Sequence, residues 1–365
     1  MLEKSGITFD KIGPERVIVV SDAATGMQGC VVIDNTTLGP GKGGIRLVPD
    51  VTVSEVARLA RAMTYKNALA DLPFGGAKAG LRGDPKKINT AVWMRAFALK
   101  LKELIPAVYI AGPDMNTTEK EMDEFAKALN NPGAATGKST AMGGLPHELG
   151  STGYGVARST LVALKHKNID VKGVTVAIEG FGNVGTFTAK FLSEEGAKIV
   201  ALSDSGGTVY VPEGIDYAKA MDVKAKTGSV TNYPGGKKLA ASDLFSMAVD
   251  VLIPGARPDV ITAQNQANVK AKIVVEAANI PMSVDIEKQL EKRGILVVPD
   301  FLANAGGVIS SYCETRGYNV EKMFEIVKEK IERNTKLVLK TASSQGITTR
   351  EAAMQVAIKR LIASR

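Results

Sequence analysis

The fold class is decided by residues 171–204, which read VKGVTVAIEGFGNVGTFTAKFLSEEGAKIVALSD. An apolar strand precedes Gly180-Phe-Gly182-Asn-Val-Gly185, a helix follows, and a second apolar strand ends at Asp204. In this context the glycine motif predicts a dinucleotide-binding βαβ unit. Gly180 allows the tight turn, Gly182 lets a pyrophosphate approach the main chain, and Gly185 allows the helix to pack on the strand.

The same unit predicts how a cofactor is held. The helix begins near Asn183 and Val184, and the amides of a helix N-terminus attract phosphates. Asp204 is placed to accept hydrogen bonds from an adenosine ribose, which favours NAD. The following residues 205–208, SGGT, leave room and donors for a phosphate, so the choice of NAD or NADP stays open.

Three more apolar segments extend the predicted sheet. They are AVDVLIPG (248–255), KIVVEAAN (272–279) and ILVVPDFLANAGG (295–307). Nearly continuous apolar runs are typical of strands that are buried on both faces of a parallel sheet. The second half of the chain is therefore predicted to be a Rossmann-type domain.

A second group of chemical residues lies between Gly39 and Gly80, where three lysines stand in unusual settings. Lys42 is in GPGKGGIR, Lys78 is in PFGGAKAG, and Lys66 is near the end of a helix that begins with a capping box at 52–55. Glycines let a ligand reach the backbone, and a lysine beside them supplies a compact cation, which suits a carboxylate. The alternative is that the glycines only build turns and the lysines face water.

Asp114 follows a short apolar segment in AVYIAGPDMNTTEKEM (107–122). Two interpretations are equally supported by this spacing. Asp114 either belongs to the turn that leads into the next helix, or it is a proton-transfer group that faces the lysines.

Length and composition exclude several classes of protein. The 365 residues are sufficient for two domains, and the net charge of +8 is spread without a basic run, so nucleic-acid binding is not expected. Cys30 and Cys313 form no disulfide or zinc pattern, and with two histidines in the chain no metal is indicated. No segment has the length and apolarity of a membrane span, so a cytoplasmic protein is expected.

The predicted architecture is α/β with two domains separated by a cleft. Residues 1–148 form an N-terminal α/β domain for substrate binding and oligomerisation, and residues 149–334 form the Rossmann-type dinucleotide-binding domain. The last 46 residues have helical periodicity. The C-terminal helix 335–365 is expected to fold back on the first domain.

Five motifs together resemble the glutamate/leucine/phenylalanine/valine dehydrogenases. They occur in the family's order and span nearly the whole chain: GPGKGGIR, MTYKNALADLPFGGAKAG, AGPDMNT, EGFGNVG and PDFLANAGGVISSY. The resemblance implies that Lys78 and Asp114 are catalytic and that Lys66 holds the substrate α-carboxylate. It also implies that Lys42 and Ser311 hold a side-chain carboxylate, where the branched-chain members have an apolar residue at the position of Lys42.

On the cofactor side, the resemblance places Thr152 at the nicotinamide carboxamide and Asn279 and Asn304 near the nicotinamide ring. Two segments depart from the family pattern. GLPHELGSTGYG (144–155) is shorter than usual and lacks an arginine, and EAANIP (276–281) replaces the commoner EGANGP.

The implied reaction is the reversible oxidative deamination of L-glutamate to 2-oxoglutarate and ammonium, with hydride transfer to NAD or NADP, in a homohexamer. Two alternatives remain. A dehydrogenase for leucine, valine or phenylalanine is disfavoured by Lys42 with Ser311. A catalytically silent nucleotide-binding protein would bind the cofactor without turnover.

Overall fold

The computed structural model describes residues 6–146 and 149–364. Contacts divide the chain into two compact units. Unit 1 comprises Met1–Leu149, Val308–Met323 and Val356–Arg365, and unit 2 comprises Gly150–Gly307 and Phe324–Gln355. The predicted domains, 1–148 with 335–365 and 149–334, stay a prediction, and the two units differ from them. Residues 335–355 belong to unit 2 and residues 308–323 to unit 1.

Unit 1 is built on a six-stranded sheet in the order β1-β2-β5-β3-β6, with β4 also pairing with β5. Strands β1, β2 and β5 are antiparallel neighbours, whereas β3 and β4 run parallel to β5. The strands are β1 (Arg16–Asp22), β2 (Met27–Asn35), β3 (Gly41–Lys42), β4 (Ile45–Val48), β5 (Gly75–Arg82) and β6 (Tyr109–Ile110). The helices before residue 146 are α1 (Val53–Leu69), α2 (Thr90–Lys100) and α3 (Glu119–Ala128).

Both faces of this sheet are covered. On one face Val31 and Ile33 pack in a core with Phe97 of α2 and Phe125 of α3. On the other face the alternate residue Val32 packs in a separate cluster that includes residues of α1. The run CVVI (30–33) is apolar at successive positions because both faces of the strand are covered.

Unit 2 is built on a seven-stranded sheet in the order β10-β9-β8-β7-β11-β12-β13, and the strands from β8 to β13 in this order are parallel. The strands are β7 (Thr175–Glu179), β8 (Lys198–Asp204), β9 (Gly207–Tyr210), β10 (Lys237–Leu239), β11 (Val251–Pro254), β12 (Ile273–Val275) and β13 (Leu296–Val298). The helices are α4 (Ser151–His166), α5 (Asn183–Glu194), α6 (Tyr217–Thr227), α7 (Val284–Lys292) and α8 (Asp300–Ala303). The chain order reverses between β7 and β11, which is the switch point where open α/β sheets bind ligands.

Three helices complete the chain: α9 (Gly306–Thr315), α10 (Val320–Gln345) and α11 (Thr349–Ala363). Helix α11 begins with a capping box, since Thr348 N donates to Glu351 Oε2 at 3.0 Å and Glu351 N donates to Thr348 Oγ1 at 3.2 Å. The predicted box of α1 is only half formed. Glu55 N donates to Thr52 Oγ1, but the Glu55 carboxylate pairs with Arg46 instead.

The remaining expectations concern bulk properties. Among the described residues, no helix is both long and apolar enough to cross a bilayer. The cytoplasmic location stays a prediction. Cys30 and Cys313 are both buried and are not joined in a disulfide, and burial raises the pKa of Cys30 to about 11.

Candidate active site

The glycine-flanked lysines of unit 1 lie on strands rather than in loops. Lys42 ends β3 and Lys78 is in the middle of β5, and both side chains are buried. The neighbouring glycines serve close packing. A Cβ on Gly43 would lie 1.6 Å from the carbonyl oxygen of Ala77, and a Cβ on Gly76 would lie 2.1 Å from Thr64 Oγ1. We expected these glycines to let a ligand reach the backbone. In the structure they instead allow neighbouring backbone segments to pack closely, and this packing places the lysines inside the sheet.

Asp114 forms an ion pair with Lys78. The Lys78 ammonium lies 2.7 Å from Asp114 Oδ1, and Arg46 Nε donates to Asp114 Oδ2 at 2.8 Å. Burial by itself raises the pKa of Asp114, but Lys78 and Arg46 together hold that pKa below its usual range. Asp114 also begins the turn that leads into α3, since Thr117 N donates to the Asp114 carbonyl oxygen at 3.1 Å, and the cap of the helix is Thr118. The turn uses the main chain of Asp114 and the ion pair uses its side chain, so both interpretations agree with the structure and the carboxylate is placed for proton transfer with Lys78.

Lys42 lies in the same part of unit 1 and is fully buried. Its Nζ donates to the carbonyl oxygen of Ala111 at 2.9 Å. Burial lowers the pKa of Lys42 to about 7, with the Glu314 carboxylate acting to raise it and the ammonium groups of Lys78 and Lys138 acting to lower it. Lys42 is thus a buried cation that is close to losing its proton at neutral pH.

A buried ion pair between Lys138 and Glu314 lies close enough to Lys42 to affect its pKa. Lys138 donates to Glu314 Oε1 and to the carbonyl oxygen of Ala135, and Glu314 Oε2 accepts hydrogen bonds from the amides of Gly137 and Leu145. Glu314 is on α9, 176 positions along the chain from Lys138. Ser311 is one turn earlier on the same helix and is half-buried, and its hydroxyl is not hydrogen-bonded to Lys42 within the described part of the chain. Lys66 is half-buried in the last turn of α1.

One buried group near Lys42 has no protein partner. Thr136 Oγ1 makes no hydrogen bond among the described residues, although Thr136 is only 1% exposed. A Cβ built on Gly112 would lie 2.4 Å from Lys42 Nζ and 3.7 Å from Thr136 Oγ1, so the hydroxyl and the ammonium lie on the same side of that glycine. A buried polar atom without a partner indicates a place where a ligand or water completes the hydrogen bonding.

The glycine motif of unit 2 has the geometry that a dinucleotide needs. Gly180 has a positive φ of 92°, and a Cβ on Gly185 would lie 1.7 Å from the Gly180 carbonyl oxygen, which is the close packing of α5 on β7. A Cβ on Gly182 would meet nothing within 4 Å, so the space beside that residue is open. Asn183 and Val184 begin α5 there. The residues present therefore fit the pyrophosphate of a dinucleotide.

Beside this motif is a cavity of about 1020 Å³ within unit 2. Its lining includes Gly180, Gly182, Asp204 and Lys224. Asp204 ends β8, as predicted, next to the turn that connects β8 with the antiparallel β9. The cavity has the size of a small-molecule or cofactor site.

The residues predicted for the nicotinamide end are also in unit 2. Asn304 Nδ2 donates to Asn279 Oδ1 at 2.9 Å and to the carbonyl oxygen of Ala277 at 3.2 Å, so the structure brings the two asparagines together. Thr152 is half-buried in the first turn of α4. Ile280, next to Asn279, has a positive φ of 50°, a strained conformation that its neighbours must hold.

Those neighbours form a network that sequence reasoning missed. Arg350 donates through Nε to both oxygens of Glu287, at 2.8 and 2.6 Å, and through Nη2 to Glu276 at 2.9 Å and Asp300 at 2.8 Å. Asp300 Oδ2 in turn accepts from the Ile280 amide at 2.9 Å. Burial and the neighbouring acids raise the pKa of Glu276 well above its usual range, and burial also raises the pKa of Glu287. Arg350 therefore supports the asparagine loop through Asp300.

The missed residues left a weak signal in the sequence. Glu276 ends an apolar strand in KIVVEAAN and Asp300 follows another in VVPD, and two acids beside buried strands require a cation. Lys138 in ATGKST (135–140) repeats the glycine–lysine pattern of the better-marked lysines. Nothing local indicates that Arg350 or Glu314 is the partner. Among the described residues, no cluster of three or more histidine, cysteine or acidic side chains could hold a metal ion.

Comparisons with known proteins agree with this arrangement. The family model "Glu/Leu/Phe/Val dehydrogenase, dimerisation domain" matches residues 14–131, and "Glutamate/Leucine/Phenylalanine/Valine dehydrogenase" matches residues 143–365. The chain is 44% identical to an NADP-specific glutamate dehydrogenase of Saccharolobus shibatae, over 82% of this chain and 75% of that one. It is 42% identical to a glutamate dehydrogenase of Aeropyrum pernix, over 90% of this chain and 83% of that one.

A solved structure is similar over nearly the whole fold. It is a hetero-hexameric glutamate dehydrogenase from Thermus thermophilus in a Leu-bound form, with 31% sequence identity and a TM-score of 0.85. The match covers 96% of this chain and 89% of that one.

The Arg350 network predicts a pH-dependent loss of stability when its cation is removed. In Arg350→Met, the carboxylates of Glu276, Glu287 and Asp300 lose the guanidinium that pairs with them. We expect the free energy of unfolding to fall by about 3–5 kcal/mol near neutral pH. A carboxylate with a raised native pKa stabilises the fold below its unfolded pKa and loses that contribution as pH rises. The deficit should therefore shrink as pH is lowered to about 5, measured by urea unfolding.

The matched control is Arg333→Met on α10, where the exposed pair with Glu329 spans 3.3 Å. We expect that variant to change the free energy of unfolding by less than about 1 kcal/mol at either pH. An Arg350→Met deficit that matched the control, or that was equal at both pH values, would contradict the role given to Arg350.

Proposed function

We infer the reaction from one premise: the chain belongs to the Glutamate/Leucine/Phenylalanine/Valine dehydrogenase family. We propose that it catalyses the reversible oxidative deamination of L-glutamate to 2-oxoglutarate and ammonium, with NAD or NADP as the hydride acceptor. The glutamate dehydrogenases named above support this proposal. The single observation that carries it is the buried ammonium of Lys42, placed in the same unit as the Lys78–Asp114 pair.

Lys42 selects a substrate that has a second carboxylate. An ammonium group has three donors, and the described protein supplies Lys42 with one acceptor, the carbonyl oxygen of Ala111. A buried cation with unused donors is costly unless an anion reaches it. The side-chain carboxylate of glutamate is that anion, with Ser311 as a further donor. Lys66 holds the α-carboxylate, so that the two lysines orient Cα.

Lys78 and Asp114 carry the proton transfers. When bound, the nicotinamide supplies the hydride acceptor, and loss of hydride from Cα leaves an iminium on the substrate. Lys78, once its own proton has left, is the general base towards the water that adds to the iminium carbon. Asp114, 2.7 Å from Lys78, exchanges protons with the amine and with the resulting carbinolamine. Arg46 keeps Asp114 ionised and fixed in position.

On the cofactor side, Gly180, Gly182 and Gly185 shape the turn, and Asn183 and Val184 present the amides of the α5 N-terminus. Thr152 binds the carboxamide, and the Asn279–Asn304 pair holds the nicotinamide ring. Asp204 lies at the adenosine end. For assembly we propose a homohexamer. The similarity to the hetero-hexameric Thermus thermophilus enzyme supports the number of six subunits.

Removal of the Lys78 amine should abolish turnover and spare cofactor binding. For Lys78→Met we expect the rate of 2-oxoglutarate- and ammonium-dependent oxidation of reduced nicotinamide to fall by about 10²–10⁴-fold, because the general base is lost. Binding of the reduced cofactor, followed by its fluorescence, should be unchanged. The control is Lys87→Met, an exposed lysine 3.7 Å from Asp84. Turnover of Lys78→Met within about tenfold of wild type would refute the assignment.

Replacing Lys42 should change the substrate. In Lys42→Leu the donor for the side-chain carboxylate is replaced by an apolar group, and we expect kcat/KM for 2-oxoglutarate to fall by about 100-fold while that for 4-methyl-2-oxopentanoate rises. Initial rates with each acid and ammonium measure both. Unchanged kinetics with 2-oxoglutarate would remove Lys42 from the side-chain pocket. A wild-type preference for the branched acid would favour the apolar-substrate alternative, and activity with neither would favour a silent protein.

The lowered pKa of Lys42 predicts that dicarboxylate binding weakens at high pH. Above its pKa of about 7 the empty site holds neutral Lys42, whereas a bound carboxylate favours the ammonium form, so binding must take up a proton. We expect the dissociation constant of glutarate, an unreactive dicarboxylate, to rise roughly tenfold per pH unit above that pKa. Calorimetry in buffers of different ionisation enthalpy measures the proton uptake.

The control for this experiment is Lys42→Leu, in which the proton uptake should disappear together with the pH dependence. Equal affinity of the wild-type protein for glutarate on both sides of neutrality would show that Lys42 does not face the dicarboxylate.

A further inference from the structure

The acid at the end of β8 is already saturated by its own unit. Asp204 Oδ1 accepts hydrogen bonds from the Gly206 amide and from Ser229 Oγ, each at 2.8 Å. Asp204 Oδ2 accepts from the Val230 amide at 2.8 Å and from Lys224 Nζ at 2.5 Å. A carboxylate has about four acceptor positions, and here four donors occupy them. Its side chain is only 5% exposed.

The occupied acceptor positions of Asp204 affect how it could bind the adenosine ribose. An acid that reads the 2′- and 3′-hydroxyls of an adenosine ribose must have acceptor positions to offer. For Asp204 to do so, it would have to give up a bond from Lys224, Ser229 or the main chain. Burial tends to raise the pKa of Asp204, but the bonds from Lys224, Val230 and Gly206 hold it below its usual range, so Asp204 is a carboxylate at neutral pH.

Lys224 is the partner that faces the cofactor cavity. It lies in the last turn of α6, its side chain is 30% exposed, and it lines the cavity of about 1020 Å³ together with Ser205 and the glycine motif. Its ammonium has three donors, of which Asp204 takes one. The cavity also has Arg257 in its lining. Of its acids other than Asp204, Glu179 accepts from the amides of Gly255 and Ala256, and Asp259 lies two residues after Arg257.

We propose that this corner of the cavity is a subsite for the 2′-phosphate of NADP, with Lys224 as the residue that selects it. The proposal rests on the proposed dinucleotide site and names which dinucleotide it takes. A 2′-phosphate is an acceptor for the remaining donors of Lys224 and for the hydroxyl of Ser205. It requires nothing from Asp204, whose charge Lys224 already balances. A free 2′-hydroxyl, by contrast, finds no open acceptor on Asp204.

This inference reverses the preference for NAD that the position of Asp204 alone suggested. The acid is where the motif places it, but its function is to hold Lys224 and the 229–230 backbone in position. Asp204 is thus a positioning residue for Lys224, the side chain that donates hydrogen bonds to the 2′-phosphate.

Direct binding tests the subsite without turnover. Titration of the wild-type protein with NADPH and NADH, followed by nicotinamide fluorescence, should give a dissociation constant at least about tenfold lower for NADPH. Adenosine 2′,5′-bisphosphate should displace NADPH more strongly than adenosine 5′-monophosphate does. Tighter or equal binding of NADH, or equal displacement by the two nucleotides, would overturn the proposal.

Two variants locate the effect. In Lys224→Ala the affinity for NADPH should fall by about tenfold or more, because a charge-assisted contact with the phosphate is lost, and the affinity for NADH should stay within about threefold. The matched control is Lys226→Ala, two residues further along α6, where an exposed lysine pairs with Asp222 at 2.8 Å. That variant should bind both dinucleotides as the wild type does. An equal loss for both in Lys224→Ala would mean that the lysine only supports the fold.

The outcome for this subsite is distinguishable from that for the proposed function. If neither dinucleotide bound, the dinucleotide site and the subsite within it would both be refuted. If NADH bound more tightly and supported turnover of 2-oxoglutarate, only the phosphate subsite would be refuted.

Discussion

The candidate active site of unit 1 depends on the close approach of backbones around three glycines. A Cβ at Gly43 would clash with the carbonyl oxygen of Ala77, and a Cβ at Gly76 would clash with Thr64. A Cβ at Gly112 would lie 2.4 Å from Lys42 Nζ. Glycine permits these contacts without a shift of the neighbours. The first two are close approaches to the main chains of β5 and α1, and the third leaves room for the Lys42 ammonium beside the segment after β6. The side chains of Lys42 and Lys78 are buried there, so their charges must be balanced inside the unit.

The charge balance around these glycines explains why the site suits an anion. The cations exceed the carboxylates by one in this group, which consists of Lys42, Arg46, Lys78 and Lys138 with Glu55, Asp114 and Glu314. Buried charges are tolerated only when they are paired or hydrogen-bonded. Lys138 has a carboxylate to itself and Lys78 shares Asp114 with Arg46, whereas Lys42 has a carbonyl oxygen and a lowered pKa. The excess positive charge is thus concentrated where the unpartnered hydroxyl of Thr136 also lies.

Local sequence patterns predicted the strands and helices of the dinucleotide-binding unit well, but they predicted contacts between distant residues poorly. The glycine motif, its strand and its helix follow from 3.6- and 2-residue periodicities and from turn chemistry, and the structure confirms them. The sequence motifs identify Lys78 and Asp114 as candidate site residues, but they do not indicate that Lys42 and Lys78 lie on strands. A β3 of two residues that pairs with both β5 and β6 leaves almost no periodic signal. Contacts such as Lys138 with Glu314 or Arg350 with Glu276 depend on sheet order, which no window of sequence contains.

Lys42 and Asp204 show that the position of a charged group matters less than how many of its hydrogen-bonding positions remain open. Both stand where a motif places a ligand-binding residue. Lys42 has one protein acceptor for three donors, and so its interaction with a ligand remains to be made. Asp204 has four protein donors for about four acceptor positions, and so its hydrogen bonding is complete before any ligand arrives. The open hydrogen-bonding positions beside Asp204 belong to Lys224, and its ammonium forms a stronger, charge-assisted bond with an anion than with a neutral hydroxyl group.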